Sequence, residues 1–241
     1  MKEFFNFLKS KYNKFIFQFL NEKRVPPANF KVKIETKCLV LAPYIGAETK
    51  GLGGLIAQYP KNFEVLALTN GSSMIKNVSQ IEAINIKKEQ FFNVMKHARV
   101  KGYKVFDINS GTLQDEYKKV SRIDISEVDF IFIPNPFSAD PDTLALISHL
   151  KKIIKTKEHK KTLQILMYES DYALSYIDYY ADISNIASTK KQMLNIYYPN
   201  DQKLLAGVIG LNKFRSINYN GDLCECFASF FVEDFLKLPL I

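Results

Sequence analysis

Residues 37–71 read KCLVLAPYIGAETKGLGGLIAQYPKNFEVLALTNG, and this stretch decides the fold. Two apolar runs, 37–43 and 63–69, enclose a glycine-rich stretch that is long enough for a helix. Near-continuous apolar runs of this length are typical of parallel strands that are buried on both faces. The stretch therefore predicts a strand–helix–strand unit, the building block of an α/β domain.

Similar apolar runs follow at 103–108, 129–134 and 162–168, with amphipathic stretches of helical length between most of them. This alternation predicts a Rossmann-like α/β domain, with a mainly parallel sheet flanked by helices, over residues 31–241. In such sheets ligands bind beyond the carboxyl ends of the strands. Candidate functional residues are therefore expected in the segments that directly follow the predicted strands.

The N-terminal stretch 1–30 is predicted to be a separate element, an amphipathic helix followed by a proline linker. Aromatic and aliphatic residues recur at helical spacing over 2–23, with lysines on the opposite side, and Pro26 and Pro27 end the pattern. One interpretation is that this helix packs on its own domain or across a homo-oligomer interface. The other is that it rests on an anionic membrane surface, because its lysines and aromatic residues suit that contact.

The charge and the cysteines limit the classes of partner. The net charge is +8, and residues 1–24 carry six basic against two acidic residues. No nucleic-acid-binding motif accompanies this charge, so a nucleic-acid partner is not expected. The three cysteines, Cys38, Cys224 and Cys226, are an odd number without a secretory leader. We therefore expect reduced thiols and a cytoplasmic protein, with peripheral membrane contact as the alternative.

Four ordered segments carry a resemblance to a known family. The first is 37–71, with a strand, an Ala-Pro loop, a glycine-rich helix start and a strand that ends in Thr-Asn-Gly. The others are 131–150, 167–197 with Tyr-Glu and Asp-Ile-Ser elements, and the closing motifs at 210–216 and 225–227. Together they resemble the PIG-L/LmbE-like sugar de-N-acetylases, which include the GlcNAc-phosphatidylinositol de-N-acetylases. The resemblance covers about residues 37–230.

The resemblance implies a zinc-dependent deacetylase, yet the positions that carry the family's chemistry are changed in this chain. The family has a histidine ligand where this sequence has Tyr44, a general base at Gly46 and an aspartate ligand at Ala47. The His-x-Asp-His pattern of the second segment has become Asp-Pro-Asp-Thr at 140–143. A catalytic zinc needs about three protein ligands, and Gly46 and Ala47 have no donor atom. We therefore expect no metal cofactor and no catalytic residue. The degenerate positions are Tyr44, Gly46, Ala47, Asp140 and Thr143.

The remaining acidic residues of this region allow two interpretations. Glu48, Asp140 and Asp142 are oxygen donors that suit a hard cation such as Mg²⁺ or Ca²⁺. Alternatively, Glu48 accepts backbone hydrogen bonds near a helix start, while Asp140 and Asp142 cap a helix that Pro141 begins. Tyr44 either fills the former metal cavity or stacks on a sugar ring. The candidate residues for a binding pocket are Tyr44, Glu48, Asn70, Gly71, Asn135, Ser138, Asp140, Asp142, Tyr168, Glu169 and Arg215.

Three functional hypotheses follow. The first is a catalytically inactive homologue that binds a sugar or glycolipid head group, or a partner protein of surface-glycan metabolism. The second is an active hydrolase with a rebuilt centre at Glu48, Asp140 and Asp142. The third is a membrane-peripheral structural module in which residues 2–23 carry the function. The first hypothesis is favoured, because amide hydrolysis needs a base and the base position is a glycine.

Overall fold

The computed structural model describes residues 25–137, 140–219 and 221–239. The predicted amphipathic helix at 2–23 and the candidate Ser138 lie outside these residues. The described strands form one sheet in the order β1-β7-β8-β6-β5-β2-β3-β4. The strands are β1 (Ala28–Asn29), β2 (Cys38–Ala42), β3 (Phe63–Ala67), β4 (Gly102–Val105), β5 (Phe130–Pro134), β6 (Gln164–Tyr168), β7 (Tyr179–Asp182) and β8 (Cys224–Phe231).

Helices lie on both faces of this sheet. They are α1 (Ala47–Gln58), α2 (Gln80–His97), α3 (Tyr117–Val120), α4 (Pro141–Thr156), α5 (Ala187–Tyr197), α6 (Gln202–Ser216) and α7 (Val232–Lys237), with short 3₁₀ turns at Leu113–Asp115 and Ser184–Ile186. One core joins α1, α2 and α5 to the sheet, and a second core joins α4 and α7 to its other face. This is the α/β architecture that the sequence predicts.

The five strands that the apolar runs predict are all present, as β2 to β6. They pair parallel to their neighbours in the order β6-β5-β2-β3-β4. Every residue of β2 is buried, and burial of a large aliphatic or aromatic side chain contributes about 1.5–3 kcal/mol. The carboxyl ends of these parallel strands lie along one edge of the sheet.

The second half of the sheet departs from the parallel pattern. Strand β8 lies between β6 and β7 and is antiparallel to both of them. No strand was predicted for 179–182 or 224–231, because β7 is short and the alternation of β8 is interrupted by the buried Glu225. Strand β8 begins at Cys224, which pairs with Asp182 at the carboxyl end of β7, so β8 runs back in the opposite direction.

Two further findings concern expectations from composition. Cys38, Cys224 and Cys226 are free and buried, and burial raises the pKa of the Cys224 thiol to about 11. Within the described ranges, no helix has both the length and the apolar character that a membrane crossing requires.

Candidate functional site

The candidate site begins where β2 ends and α1 starts. Gly46 precedes α1 with φ of 99°, a left-handed conformation that favours glycine. A Cβ atom at this position would lie 2.5 Å from the hydroxyl oxygen of Tyr198. The space that a side chain at residue 46 would enter is therefore occupied by Tyr198, a residue from the end of α5.

Glu48 is fully buried beneath this turn and its oxygens are held by protein donors. Its Oε2 accepts the backbone N–H of Gly46 at 2.9 Å, and its Oε1 accepts the hydroxyls of Tyr197 at 2.8 Å and Thr49 at 3.0 Å. Burial raises the pKa of Glu48, although these hydrogen bonds act in the opposite direction. The prediction that Glu48 bonds backbone near the helix start is confirmed.

Tyr44 belongs to a polar cluster with Lys50 and Asp171. The Tyr44 hydroxyl donates to Asp171 Oδ2, and the Lys50 ammonium lies 2.7 Å from Asp171 Oδ1. Lys50 also lies 3.3 Å from the Tyr44 hydroxyl and 5.2 Å from the centroid of its ring. Burial and the neighbouring Asp171 raise the pKa of Tyr44, so this phenol stays protonated and donates its hydrogen bond.

The acidic residues of the second segment are occupied by contacts with the protein itself. Asp140 caps α4, because its Oδ2 accepts the backbone N–H of Thr143 at 2.9 Å and the Thr143 hydroxyl at 2.8 Å. Asp142 lies inside the first turn of α4, and it accepts the backbone N–H groups of Gly111 at 2.7 Å and Leu113 at 3.2 Å. The predicted cap is therefore correct for Asp140, whereas Asp142 fixes a neighbouring loop instead.

Two asparagines shape the loops that follow the strands. Asn70 Oδ1 accepts the backbone N–H of Ser72 at 3.1 Å, and its amide donates to Asn109 Oδ1 at 3.1 Å. Gly71 follows with φ of 78°. Asn135 is nearly fully buried, and its amide donates to the carbonyl of Ala173 at 3.1 Å. Both asparagines hold loop backbone in place.

Glu169 and Arg215 form an ion pair near the carboxyl end of β6. The Nε of Arg215 donates to Glu169 Oε1 at 3.1 Å, and its Nη2 also contacts Glu169. The same Nη2 donates to the carbonyl of Leu174 at 2.6 Å, while Glu169 accepts the N–H of Leu174 at 2.7 Å. Arg215, a predicted pocket residue, is thus paired with a buried acid. Tyr168 is fully buried, so its side chain belongs to the core.

Residues from α5, α6 and β8 build a buried polar network. Lys190 and Glu225 form an ion pair of 2.6 Å with both side chains fully buried. Lys190 also donates to Asn212 at 2.8 Å, and Glu225 accepts the backbone N–H groups of Gly54 and Leu55, both at 2.8 Å. These N–H groups are free because α1 is interrupted at Leu52, which has non-helical dihedral angles. The network therefore anchors the glycine-rich helix to β8.

The glycines of α1 bring helix and sheet into close contact. A Cβ atom at Gly51 would lie 2.2 Å from Tyr168, and one at Gly54 would lie 2.7 Å from Ile183. Glycine at these two positions is therefore what allows the helix to pack closely on the sheet.

The residues present do not fit the zinc that the family resemblance implies. In the described part of the chain, no group of three or more His, Cys, Asp and Glu side chains is arranged to hold a metal ion. The set Glu48, Asp140 and Asp142 is thus not a cation site, because each carboxylate serves its own backbone partners. The buried His149 contacts the carbonyl of Leu113 at 2.8 Å.

A cleft of about 420 Å³ opens beside this region. Lys50, Glu169 and Asp171 form one wall, and the face of α6 that carries Leu204, Gly207, Val208 and Leu211 forms another. Among the predicted pocket residues that the structure describes, Glu169 is the one that lines this cleft, and the rest of the lining comes from residues that were not predicted. The cleft combines charged side chains with apolar ones.

The residues of the site that were missed from the sequence include Lys50, Asp171 and Tyr198, together with Lys87, whose ammonium group lies 5.6 Å from the centroid of the Tyr198 ring. A signal existed for Lys87, because it lies on the buried stripe of α2 with Ala83, Phe91, Val94 and Met95. A lysine within an apolar stripe departs from the pattern and marks an unusual environment. The other three come from segments whose proximity depends on the tertiary fold.

Solved structures with a similar fold include a deacetylase. The N,N'-diacetylchitobiose deacetylase from Pyrococcus horikoshii superposes with a TM-score of 0.69 at 13% identity, over 85% of this chain and 87% of that chain. This chain has the LmbE-like deacetylase fold. At the level of sequence, no protein-family model and no curated protein matches it.

The LmbE-like fold is shared with proteins of different activity. A conserved protein from Thermus thermophilus superposes with a TM-score of 0.65 at 12% identity, over 80% of this chain and 94% of that chain. A 4-carboxy-2-hydroxymuconate hydratase from Pseudomonas putida gives 0.63 at 14% identity, over 81% of this chain and 96% of that chain. The fold therefore supports more than one reaction, and function has to be argued from the site.

Proposed function

We propose that this chain is a catalytically inactive homologue of the sugar deacetylases, and that it binds a sugar or glycoconjugate in the cleft between α6 and Lys50. The observation that carries this proposal is the position of the Tyr198 hydroxyl, 2.5 Å from where a side chain of residue 46 would begin. Residue 46 corresponds to the general base of the family by resemblance. Tyr198 thus takes the place of that group.

Amide hydrolysis requires an activated water molecule. In zinc deacetylases, the metal lowers the pKa of water to about 7 and a base removes its proton. Here Ala47 and Gly46 offer no donor, and Thr143 donates its hydroxyl to Asp140 at 2.8 Å. Tyr44 is a hydrogen-bond donor to Asp171 rather than a base. No side chain of this cluster is arranged to activate water.

The cleft has the composition that sugar binding requires. Carboxylates of Glu169 and Asp171 and the ammonium group of Lys50 offer hydrogen bonds to hydroxyl groups, and Leu204 and Val208 offer apolar contact to ring faces. The structural similarity to a diacetylchitobiose deacetylase supports the same ligand class. In the alternative form of this proposal, a partner protein of glycan metabolism binds this face in place of a sugar.

Metal content and acetate release test the loss of catalysis. We expect protein purified without metal and then incubated with Zn²⁺ to retain far less than one equivalent. We also expect no release of acetate from N-acetylglucosamine or diacetylchitobiose above the blank. One equivalent of tightly bound zinc together with acetate release would show that the site is a rebuilt hydrolase.

Two matched glycine variants test the cleft. Gly207 lines the cleft, whereas Gly210 lies on the same helix outside it, and a Cβ atom at either position meets no neighbour within 4 Å. We expect Gly207→Trp to abolish binding of N-acetylglucosamine or diacetylchitobiose in calorimetric titrations, while Gly210→Trp leaves it unchanged. Equal binding by both variants, or no binding by the native chain, would contradict the proposal.

A further inference from the structure

Lys87 carries a charge that the described residues do not neutralise. It lies on the buried face of α2, and only 6% of its surface is exposed. Within residues 25–137, 140–219 and 221–239, no carboxylate forms an ion pair with it, and its ammonium group instead lies over the ring of Tyr198, 5.6 Å from the centroid. A buried charge without a counter-charge is unfavourable.

A second ammonium group shares the same aromatic ring. Lys50 lies 5.5 Å from the centroid of Tyr198, so two cations contact one phenol. Burial lowers the pKa of Lys87, and the nearby Lys50 lowers it further. Cation–π contact with a ring is a weak attraction and does not replace an opposite charge. Lys50 is paired with Asp171, so Lys87 is the ammonium group on this ring that has no ion pair among the described residues.

The carboxylates near Tyr198 are already engaged with other groups. Asp171 is paired with Lys50 at 2.7 Å and accepts from Tyr44. Asp201 accepts the backbone N–H of Leu204 at 2.9 Å, and Glu48 is held by three donors in the core. Within the part of the chain that the structure describes, none of these three carboxylates forms an ion pair with Lys87.

Tyr198 itself has an unused donor. Its hydroxyl oxygen is buried and has no hydrogen-bond partner among the residues that the structure describes. Lys87 also packs against the loop after β3, since a Cβ atom at Gly71 would lie 2.8 Å from its Cβ and Cγ atoms. Lys87, Lys50 and Tyr198 thus converge between this loop and the start of α1, and Lys50 also lines the cleft.

We propose that Lys87, Lys50 and the Tyr198 hydroxyl form an anion subsite that receives a carboxylate or phosphate group of the ligand held in the cleft. This inference rests on the proposed function and specifies it, since it makes the ligand an acidic or phosphorylated sugar. An anion at this position supplies the missing counter-charge of Lys87 and an acceptor for the Tyr198 hydroxyl. Ammonium groups then take the place of the metal as the source of positive charge.

The test compares neighbouring lysines of α2. Lys88 follows Lys87 directly, is partly exposed, and lies 3.8 Å from Asp107. With inorganic phosphate as the probe, we expect Lys87→Met to weaken binding about tenfold or more, as loss of a charged hydrogen-bond donor predicts. Lys88→Met is expected to change binding less than about twofold, because an exposed pair contributes little. Lys87→Arg keeps the charge and should retain most of the affinity.

Folding of each variant is checked by its thermal midpoint. Replacement of a buried lysine by methionine is expected to be tolerated, because it removes an uncompensated charge. Equal phosphate affinity of the native chain and Lys87→Met, or no phosphate binding by the native chain, would overturn the anion subsite. A result in which Lys88→Met weakens binding as much as Lys87→Met would also overturn it.

Sugar probes separate this inference from the proposed function. Binding of glucose 6-phosphate or glucuronate, each compared with glucose, distinguishes phosphate from carboxylate as the preferred group. Inorganic phosphate contains no sugar. The change in phosphate affinity that Lys87→Met causes therefore tests the anion subsite alone. Blocking of neutral-sugar binding by Gly207→Trp tests the cleft alone, and the two proposals can therefore fail independently.

Discussion

The hydroxyl oxygen of Tyr198 lies 2.5 Å from the point where a Cβ atom of Gly46 would stand. Gly46 also has φ of 99°, which disfavours any residue with a side chain. The two constraints act on the same position, so Tyr198 and Gly46 depend on each other. An aspartate at residue 46, the position of the general base in the resemblance, would therefore require Tyr198 to move or to be changed as well.

Gly46→Ala is expected to lower the free energy of unfolding by about 2–4 kcal/mol, from left-handed strain and overpacking against Tyr198. Adding Tyr198→Phe should recover about 1 kcal/mol, because it removes the closest atom but not the strain. Gly210→Ala serves as the control: it lies in open space on α6 and should stabilise by about 0.5–1 kcal/mol. Urea denaturation measures all three, and equal effects at residues 46 and 210 would contradict the geometry.

Lys190→Met is expected to lower the free energy of unfolding by about 3–5 kcal/mol, because it leaves the Glu225 carboxylate buried without its partner. The exposed pair of Lys237 and Asp234 gives the comparison, and Lys237→Met should change stability by less than about 0.5 kcal/mol. Chemical denaturation at neutral pH is the measurement. A small effect at Lys190 would mean that Gly54 and Leu55 suffice to hold Glu225.

Glu48 should make the stability of the protein fall as pH rises above its ordinary pKa of 4.5. Burial raises the folded-state pKa, so between the two pKa values the folded state binds more protons than the unfolded state, and stability decreases with increasing pH. The slope is at most about 1.4 kcal/mol per pH unit. Over the pH range between the two pKa values, the free energies of unfolding of the native chain and of Glu48→Gln, measured by denaturation, should diverge. The exposed Glu89→Gln should run parallel to the native chain.

Arg215→Lys is expected to loosen the segment between Glu169 and Leu174. Arginine uses Nε and Nη2 on Glu169 and also reaches the Leu174 carbonyl, which a lysine ammonium cannot reproduce in the same geometry. We expect a loss of about 1–2 kcal/mol and faster hydrogen exchange at the Leu174 amide. Unchanged exchange at Leu174 would show that this ion pair does not fix the cleft wall.

Much of the fold could be predicted because its signals are local. Strands β2 to β6 were predicted from their apolar runs, and a helix cap at Asp140 was one of the two interpretations that the sequence allowed. Strand β8 was missed because Glu225 interrupts its pattern. Burial of that carboxylate is favourable only with Lys190 beside it, and the sequence does not show that the two residues are neighbours.

The sequence by itself determined the α/β class, the order of the five parallel strands along the chain and the absence of donor atoms in the side chains of residues 46 and 47. These features depend on residue type and on periodicity, which can be read directly from the sequence. Only the tertiary structure decided that Tyr198 occupies the space beside Gly46, and that Lys50 and Lys87 meet over its ring. These contacts join α1, α2 and the end of α5, and distances between remote segments are set by how helices pack on the sheet.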